Sequence, residues 1–449
     1  MVSSSILVLN LIIAIAIILL LILKFKLNPT IALIVGALYM GMFSGLGLVE
    51  TVSSISSGFG GLLAGIGLSI GFGVILGQLL SDCGGAKVIA TTLIKITSEK
   101  NSIYAIGFTA FLLSIPVFYD VTFVILIPLG IALAKETKKP LPYIIGAMVI
   151  GAGTAHTLVP PTPNPLAAAS IFNFDLGLMV LFGGGIGLVV VFLTMKIYFH
   201  LLDRGLWKKE KDETGLVNVE TAEIQIENPP SFFASILPIL VPIVLILLGT
   251  VTKAIMGDTP LVISFLSNKI IALLIGVILS YIVASKSMSP NAKNDSASKA
   301  TMSAGIVLLI TGAGGAFGSV INATKIGNVL VENISETGHA GIILILLTYG
   351  IALIFRIAQG SGTVASITTM TMMASVVPNI PIHPVWVALA ALSGGLSIGH
   401  VNDSGFWVTA NLSGLTVSGG LKSYTLAGAM VSVLTLLFVI VGSILIPMA

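Results

Sequence analysis

The residues in this 449-residue chain that could do chemistry fall into a few small groups. Asp120 is the only charge in the apolar run 103–134, where Pro116 and Pro128 bracket it. An acid at the centre of a span costs about 2.5–3.5 kcal/mol to insert. Such an acid carries a proton, binds a cation, pairs with a base or caps a half-helix. An unperturbed imidazole titrates near neutrality, so a histidine such as His156 or His400 can shuttle a proton, donate to a carboxylate or lock the backbone. Arg356 stays charged and can grip a carboxylate through two parallel bonds. Its alternatives are snorkelling to an interface or pairing with an internal acid. Gln359-Gly360-Ser361-Gly362-Thr363 offers small residues and hydroxyls where a helix would unwind, and free N–H groups at a half-helix start attract anions. Asn402-Asp403-Ser404 puts an amide, an acid and a hydroxyl beside His400.

These groups must be held at membrane depth. Charged residues are 9% of the chain, hydrophobic residues 56%, and mean hydropathy is +1.10. A soluble domain carries roughly 25% charged residues. The single Cys83 excludes an intramolecular disulfide and a cysteine metal site. A net charge of +3 is too small to point to nucleic acid. No HExxH motif and no paired intramembrane acids occur, which argues against an enzyme and calls for no cofactor or metal.

Apolar runs long enough to span, about 20 residues, lie near 5–23, 29–48, 59–80, 176–199, 231–252, 268–285, 300–322 and 423–448. The runs 102–134, 141–170, 340–378 and 383–418 are too long for one crossing and are interrupted by Gly, Pro or polar residues. They predict crossings combined with half-helices or re-entrant hairpins. The segment Gly151–Ala169 is the clearest case. It holds Pro160, Pro161, Pro163 and Pro165, the polar His156, Thr157 and Asn164, and no charge. Broken backbone survives at that depth only when buried in protein or lining a wet cavity. The first run is not read as a cleavable signal, because Lys24 and Lys26 follow it.

Fifteen of the 21 basic residues fall in five loops, around Lys24, Lys87–Lys100, Lys135–Lys139, Arg204–Lys211 and Lys286–Lys299. The Lys/Arg excess marks cytoplasmic loops. The N-terminus then lies outside, and an odd number of crossings, about seven, precedes the polar segment 203–230, read as a solvated cytoplasmic linker.

The two halves resemble each other. Gly71, Gly73 and Gly77 match Gly312, Gly314 and Gly318 at an offset of 241, which also carries Asp120 onto Ser361. His156 matches His400 at an offset of 244. The glycines read as helix-packing positions, not a nucleotide loop. With an odd number of crossings per half, a duplicated unit re-enters the membrane upside down. Inverted repeats with broken helices meeting near the midplane are a signature of secondary transporters. The fold class is therefore an all-α polytopic membrane protein of two inverted-topology repeats with re-entrant hairpins and broken helices. Residues 1–202 form the first repeat, 203–230 the linker and 231–449 the second repeat.

The runs LSDCGGAKVIATTLI, FYDVTFVILIPL, GTAHTLVPPTPNP, RIAQGSGTVAS and SIGHVNDSGFW resemble, in order and in both halves, the gluconate permease family of proton symporters, within the ion transporter superfamily. The resemblance departs at Asp120, where the family more often has glutamate, and at Thr157. It implies uptake of gluconate or a related sugar acid or small hydroxy carboxylate, driven by protons, through an inner-membrane permease that moves like an elevator, often as a homodimer in lipid. The alternatives are sodium coupling, with the ion on hairpin carbonyls and Ser361, Thr363 and Asn402, or a D-serine-like amino acid as solute. The residues placed around the solute are His156, Thr157, Asn164, Arg356, Gln359, Ser361, Thr363, His400 and Asn402. Asp120, His400 and Asp403 are the candidates for the proton.

Overall fold

Proline and glycine decide where these helices start, stop and break. The computed structural model describes residues 4–95, 97, 101–214, 226–324, 340–374 and 376–447, and its named elements are helices. The first half runs α1 (Ser4–Leu23), α2 (Pro29–Phe43), α3 (Leu48–Asp82), α4 (Gly85–Lys95), α5 (Ser102–Ser114), α6 (Tyr119–Thr137), α7 (Leu141–Leu158), α8 (Pro163–Ile171) and α9 (Leu176–Asp203). A short helix, α10 (Lys209–Asp212), follows. The second half runs α11 (Phe232–Met256), α12 (Leu261–Ser267), α13 (Lys269–Ala284), α14 (Pro290–Ala323), α15 (Ala340–Gln359), α16 (Gly362–Met373), α17 (Pro384–Leu396), α18 (Ser404–Leu412) and α19 (Val417–Gly420), then a π-helical turn, Leu421–Thr425, and α20 (Leu426–Leu445).

Among the described residues seven helices are long and apolar enough to cross a membrane, or eight if the bent pair α12–α13 counts as one span. Leu141–Ile171, which joins α7 and α8, has 83% of its apolar window buried, against 33% for Leu48–Asp82. The broken unit therefore lies in the middle of the protein and the long α3 lies nearer lipid. Small residues permit that burial. A Cβ on Gly146 would strike the Tyr198 ring, and one on Gly151 would strike the Gly107 carbonyl, so α9 and α5 close directly on α7.

The run 102–134 is a hairpin. A Cβ on Gly130 would lie 3.4 Å from Ile106, so α6 returns alongside α5. Before the linker the described residues thus give three qualifying spans and the shorter apolar α1 and α2, where about seven crossings were expected.

Element starts recur along the chain. Pro29 pairs with Lys269, Leu48 with Pro290, Tyr119 with Gly362, Leu141 with Pro384, Pro163 with Ser404 and Leu176 with Val417, at offsets of 240, 242, 243, 243, 241 and 241. The glycine motif serves this arrangement unevenly. A Cβ on Gly73 or Gly77 of α3 would meet the carbonyl oxygen of Pro161 or Pro116, each in a chain break, whereas Gly71 faces open space. In α14, Gly314 and Gly318 lie against Thr371.

The expectation of a merely solvated linker fails over 207–214; residues 215–225 lie outside the described residues. The Thr214 N–H donates to the Gly414 carbonyl at 2.9 Å and the Thr416 N–H to the Asp212 carbonyl at 3.0 Å. Asp212 is fully buried and accepts from the Lys208 N–H at 2.7 Å, Ser418 at 2.6 Å and Lys422 at 2.7 Å. Burial alone would raise its carboxyl, but the hydrogen bonds from Lys422, Ser418 and the Lys208 amide outweigh that and hold it below the usual carboxylate range. The stub after α9 is thus pinned to the end of the second half.

Candidate functional site

Four chain breaks separate paired helices: 115–118 between α5 and α6, 159–162 between α7 and α8, Gly360–Ser361 between α15 and α16, and 397–403 between α17 and α18. Each has a local cause. Pro116 cannot continue α5, and Pro160 and Pro161, joined by a cis peptide, cannot continue α7. Gly360 takes φ +83°, open to glycine, and a Cβ there would collide with the Asn402 carbonyl. The downstream helices restart on caps. The Ser361 hydroxyl accepts from the Val364 N–H at 3.3 Å, and the Asp403 carboxylate accepts from the Gly405 N–H at 3.0 Å. The starts of α6 and α8 have no side-chain cap.

One cavity of about 430 Å³ collects residues from or beside all four breaks. Its wall includes Phe118–Asp120, His156, Thr157 and Asn164 from the first half, and Arg356, Gly360–Thr363, Ser397, Asn402–Gly405 and Tyr424 from the second. Four half-helix N-termini, those of α6, α8, α16 and α18, therefore border one space. Each brings roughly half a positive charge from its aligned peptide dipoles and unsatisfied N–H groups.

The charged lining residues sort into a pair and a single acid. Arg356, 5% exposed, bonds to the Asp403 carboxylate and the Gly360 carbonyl, and reaches the Tyr424 hydroxyl at 3.3 Å. Tyr424 donates in turn to Asp403. Arg356 is thus the partner of an internal acid and at the same time a wall of the cavity; its Nε has no hydrogen-bond partner among the described residues. Asp120, in the first turn of α6 and half-buried, has no ion-pair or hydrogen-bond partner among the described residues. With the pair neutral, Asp120 sets the sign of the cavity.

Of the neutral residues expected at the site, His156, Thr157, Asn164, Ser361, Thr363 and Asn402 line the cavity. His156 Nδ1 and Asn164 Oδ1 are buried without a partner among the described residues, and such atoms call for a ligand or water. The Asn402 amide is engaged, donating to the Ile357 carbonyl at 2.9 Å. His400 departs from expectation. Its Nε2 sits 2.9 Å from the same carbonyl, capping the end of α15, and the residue is not part of the cavity wall. His156 lies inside the last turn of α7 while His400 lies in the break beyond α17, so the two stand in different local structure: His156 borders the cavity and His400 reaches the carbonyl end of α15. The Gln359 side chain lies outside the described residues. Sequence reasoning passed over Tyr119, whose hydroxyl meets Thr409 at 2.7 Å, and Tyr424. Tyr119 lies inside the FYD motif, a signal that was available; Tyr424, in LKSYT, carried none.

A family model for GntP family permeases matches residues 6–445. The chain belongs to the GntP permease family. It is 34% identical over 416 residues to the high-affinity gluconate transporter of Escherichia coli (strain K12), covering 92% of this chain and 93% of that protein. It is 31% identical over 451 residues to a gluconate permease of Pseudomonas aeruginosa, covering 98% of each. Identity to the Gnt-II system L-idonate transporter of E. coli is 30% over 421 residues, 93% of this chain and 94% of that one. Among solved structures the permease resembles MtrF of Neisseria gonorrhoeae, with TM-score 0.66 over 88% of this chain and 84% of that one, and the YdaH transporter of Alcanivorax borkumensis, with TM-score 0.63 over 94% and 98%. Both are 14% identical and speak to fold alone. The permease is thus a multi-pass inner-membrane transporter and not an enzyme.

Proposed function

We propose that this permease imports gluconate or a closely related sugar acid with a proton, and that it is built from two inverted repeats, 1–202 and 231–449, joined on the cytoplasmic side by 203–230. Supporting the substrate class are relatives named for gluconate and L-idonate, each a polyhydroxy carboxylate. Supporting the repeats are the near-constant offsets of the element starts. An elevator-like motion and a homodimer, both implied by the family resemblance, belong to the same proposal.

The observation that carries the reading is the meeting of four half-helix N-termini around a cavity whose one unpaired charge among the described residues is Asp120. The cavity's size falls in the range of small-molecule sites, about 300–1,000 Å³. The uncapped start of α6 attracts an anion, yet Asp120 stands in that first turn and competes for the same dipole. A solute carboxylate therefore enters when Asp120 is protonated, which links one proton to one anion. His156, Asn164, Ser361 and Thr363 supply neutral donors and acceptors for hydroxyls. The sodium alternative is disfavoured, because Arg356 already occupies the Gly360 carbonyl. An amino-acid solute is the second reading, since an ammonium would pair with unpartnered Asp120.

Uptake into proteoliposomes separates these. Asp120→Asn should keep gradient-free gluconate exchange and lose accumulation driven by an imposed pH gradient. Accumulation at normal amplitude would remove Asp120 from the proton role. Competition of gluconate uptake by D-serine, abolished in the same variant, would favour the amino-acid reading.

A further inference from the structure

Away from the solute cavity, a groove of about 490 Å³ opens between α5 and α9. It is lined by Thr97, Asn101, Tyr104, Ala105, Phe108 and Phe192. The walls are apolar and aromatic, with the Tyr104 and Phe192 rings 5.9 Å apart, and the polar residues Thr97 and Asn101 sit at one end. Above Phe192 stands Lys196, its ammonium 5.5 Å from the ring centroid. His200 and Arg204 continue the same helical stripe at intervals of four residues, and all three are exposed. Lys95, exposed at the end of α4, lies two residues before Thr97. The acid on this turn, Asp203, accepts from the Tyr143 hydroxyl.

Helix length sets the depth of these groups. The 28 residues of α9 extend roughly 42 Å at 1.5 Å per residue, and the hydrocarbon core is about 30 Å thick. Lys196 falls roughly 30 Å along α9 from Leu176, at the edge of the core, and His200 and Arg204 fall at headgroup level. The basic loops put this end of α9 on the cytoplasmic side, where the leaflet is anionic.

We propose that this groove is a binding site for an anionic phospholipid, with an acyl chain against Tyr104, Phe108 and Phe192 and the phosphate on Lys196 and Arg204. The occupant is argued from complementarity: an apolar slot beside the exposed Lys196 ammonium at the edge of the core, with exposed Arg204 two turns further along the same stripe at headgroup depth. A zwitterionic lipid would fill the slot but gain less from those cations.

Native mass spectrometry of the full-length permease, released from micelles holding equal amounts of phosphatidylglycerol and phosphatidylcholine of the same chains, reads the preference. Wild type should retain phosphatidylglycerol preferentially. Lys196→Gln and Arg204→Gln should each lower the preference by about fivefold. Lys253→Gln, an exposed lysine on α11, should leave it unchanged. Ala105→Trp, which fills the slot, should reduce retention of both lipids, with wild-type melting behaviour showing that the protein is folded. Equal retention of the two lipids by wild type would overturn the proposal, as would an unchanged preference in the Lys196→Gln/Arg204→Gln double variant.

Discussion

Replacing Arg356 by glutamine removes one member of a buried charge pair and leaves the other in place. The side chains of Arg356 and Asp403 are 6% and 10% exposed, so solvent screens neither. Without the guanidinium, Asp403 keeps the Gly405 N–H and the Tyr424 hydroxyl but no counter-charge, and the Gly360 carbonyl loses its donor. Breaking a buried pair from one side costs about 3–5 kcal/mol because it leaves an uncompensated buried charge, a penalty that is absent when both members are made neutral. Arg356→Gln and Asp403→Asn should therefore each destabilise the permease by about 3–5 kcal/mol. The double variant Arg356→Gln/Asp403→Asn should return to within about 2 kcal/mol of wild type. Unfolding by SDS in mixed micelles, run as a double-mutant cycle, measures this directly. Additive losses in the double variant would refute the reasoning, because independent sites add. Uptake by the double variant is informative as well. The cavity keeps its net charge, so gluconate transport should persist at a reduced rate if the helix N-termini attract the anion; complete loss in a stable double variant would put the carboxylate on Arg356 itself.

Two further expectations concern the supports of the site. Gly77→Ala places a methyl against the Pro116 carbonyl and should destabilise the permease by about 1–3 kcal/mol while impairing transport; Gly71→Ala, which faces open space, should do neither, and equal behaviour in the same micelle assay would contradict the assigned contacts. The folded-state carboxyl of Asp212 lies below its unfolded value, so its contribution is present above an unfolded pKa of about 3.9 and fades as pH falls through the lower folded value. Hydrogen exchange at the Thr416 amide, corrected for intrinsic rates, should be faster in Asp212→Asn than in wild type at pH 7, with the difference disappearing in strong acid; a difference that grows on acidification would reverse the assigned sign.

Much of this arrangement is legible in the chain because membrane burial is unforgiving. Runs of apolar residues mark the helices, and the prolines of Gly151–Ala169 mark a break that lipid would not tolerate. Asp120 and Arg356 stood out since charge is costly at that depth. Pairing is harder to read. Arg356 and Asp403 are 47 residues apart, and nothing local indicates that they meet. Tyr119 and Thr409 are 290 residues apart and belong to opposite halves. The offset of 244 aligns His156 with His400, but α17 stops at Leu396, so His400 falls in the break and turns to the Ile357 carbonyl while Ser397 and Asn402 on either side line the cavity. The run 102–134 has the hydropathy of two spans, and its fold-back as α5 and α6 shows only in the tertiary contact of Gly130 with Ile106. The stub 207–214 has the composition of a solvated loop, and only tertiary structure shows Asp212 buried against Ser418 and Lys422.

A cryo-electron microscopy map of the permease with gluconate bound tests the heart of the matter most directly. The sugar acid should lie in the cavity between Asp120, Asn164 and Ser361, with its carboxylate toward the start of α6. Density for gluconate elsewhere, for example against α3 and α14, with that cavity holding only water, would contradict the assignment of the four helix breaks as the solute site.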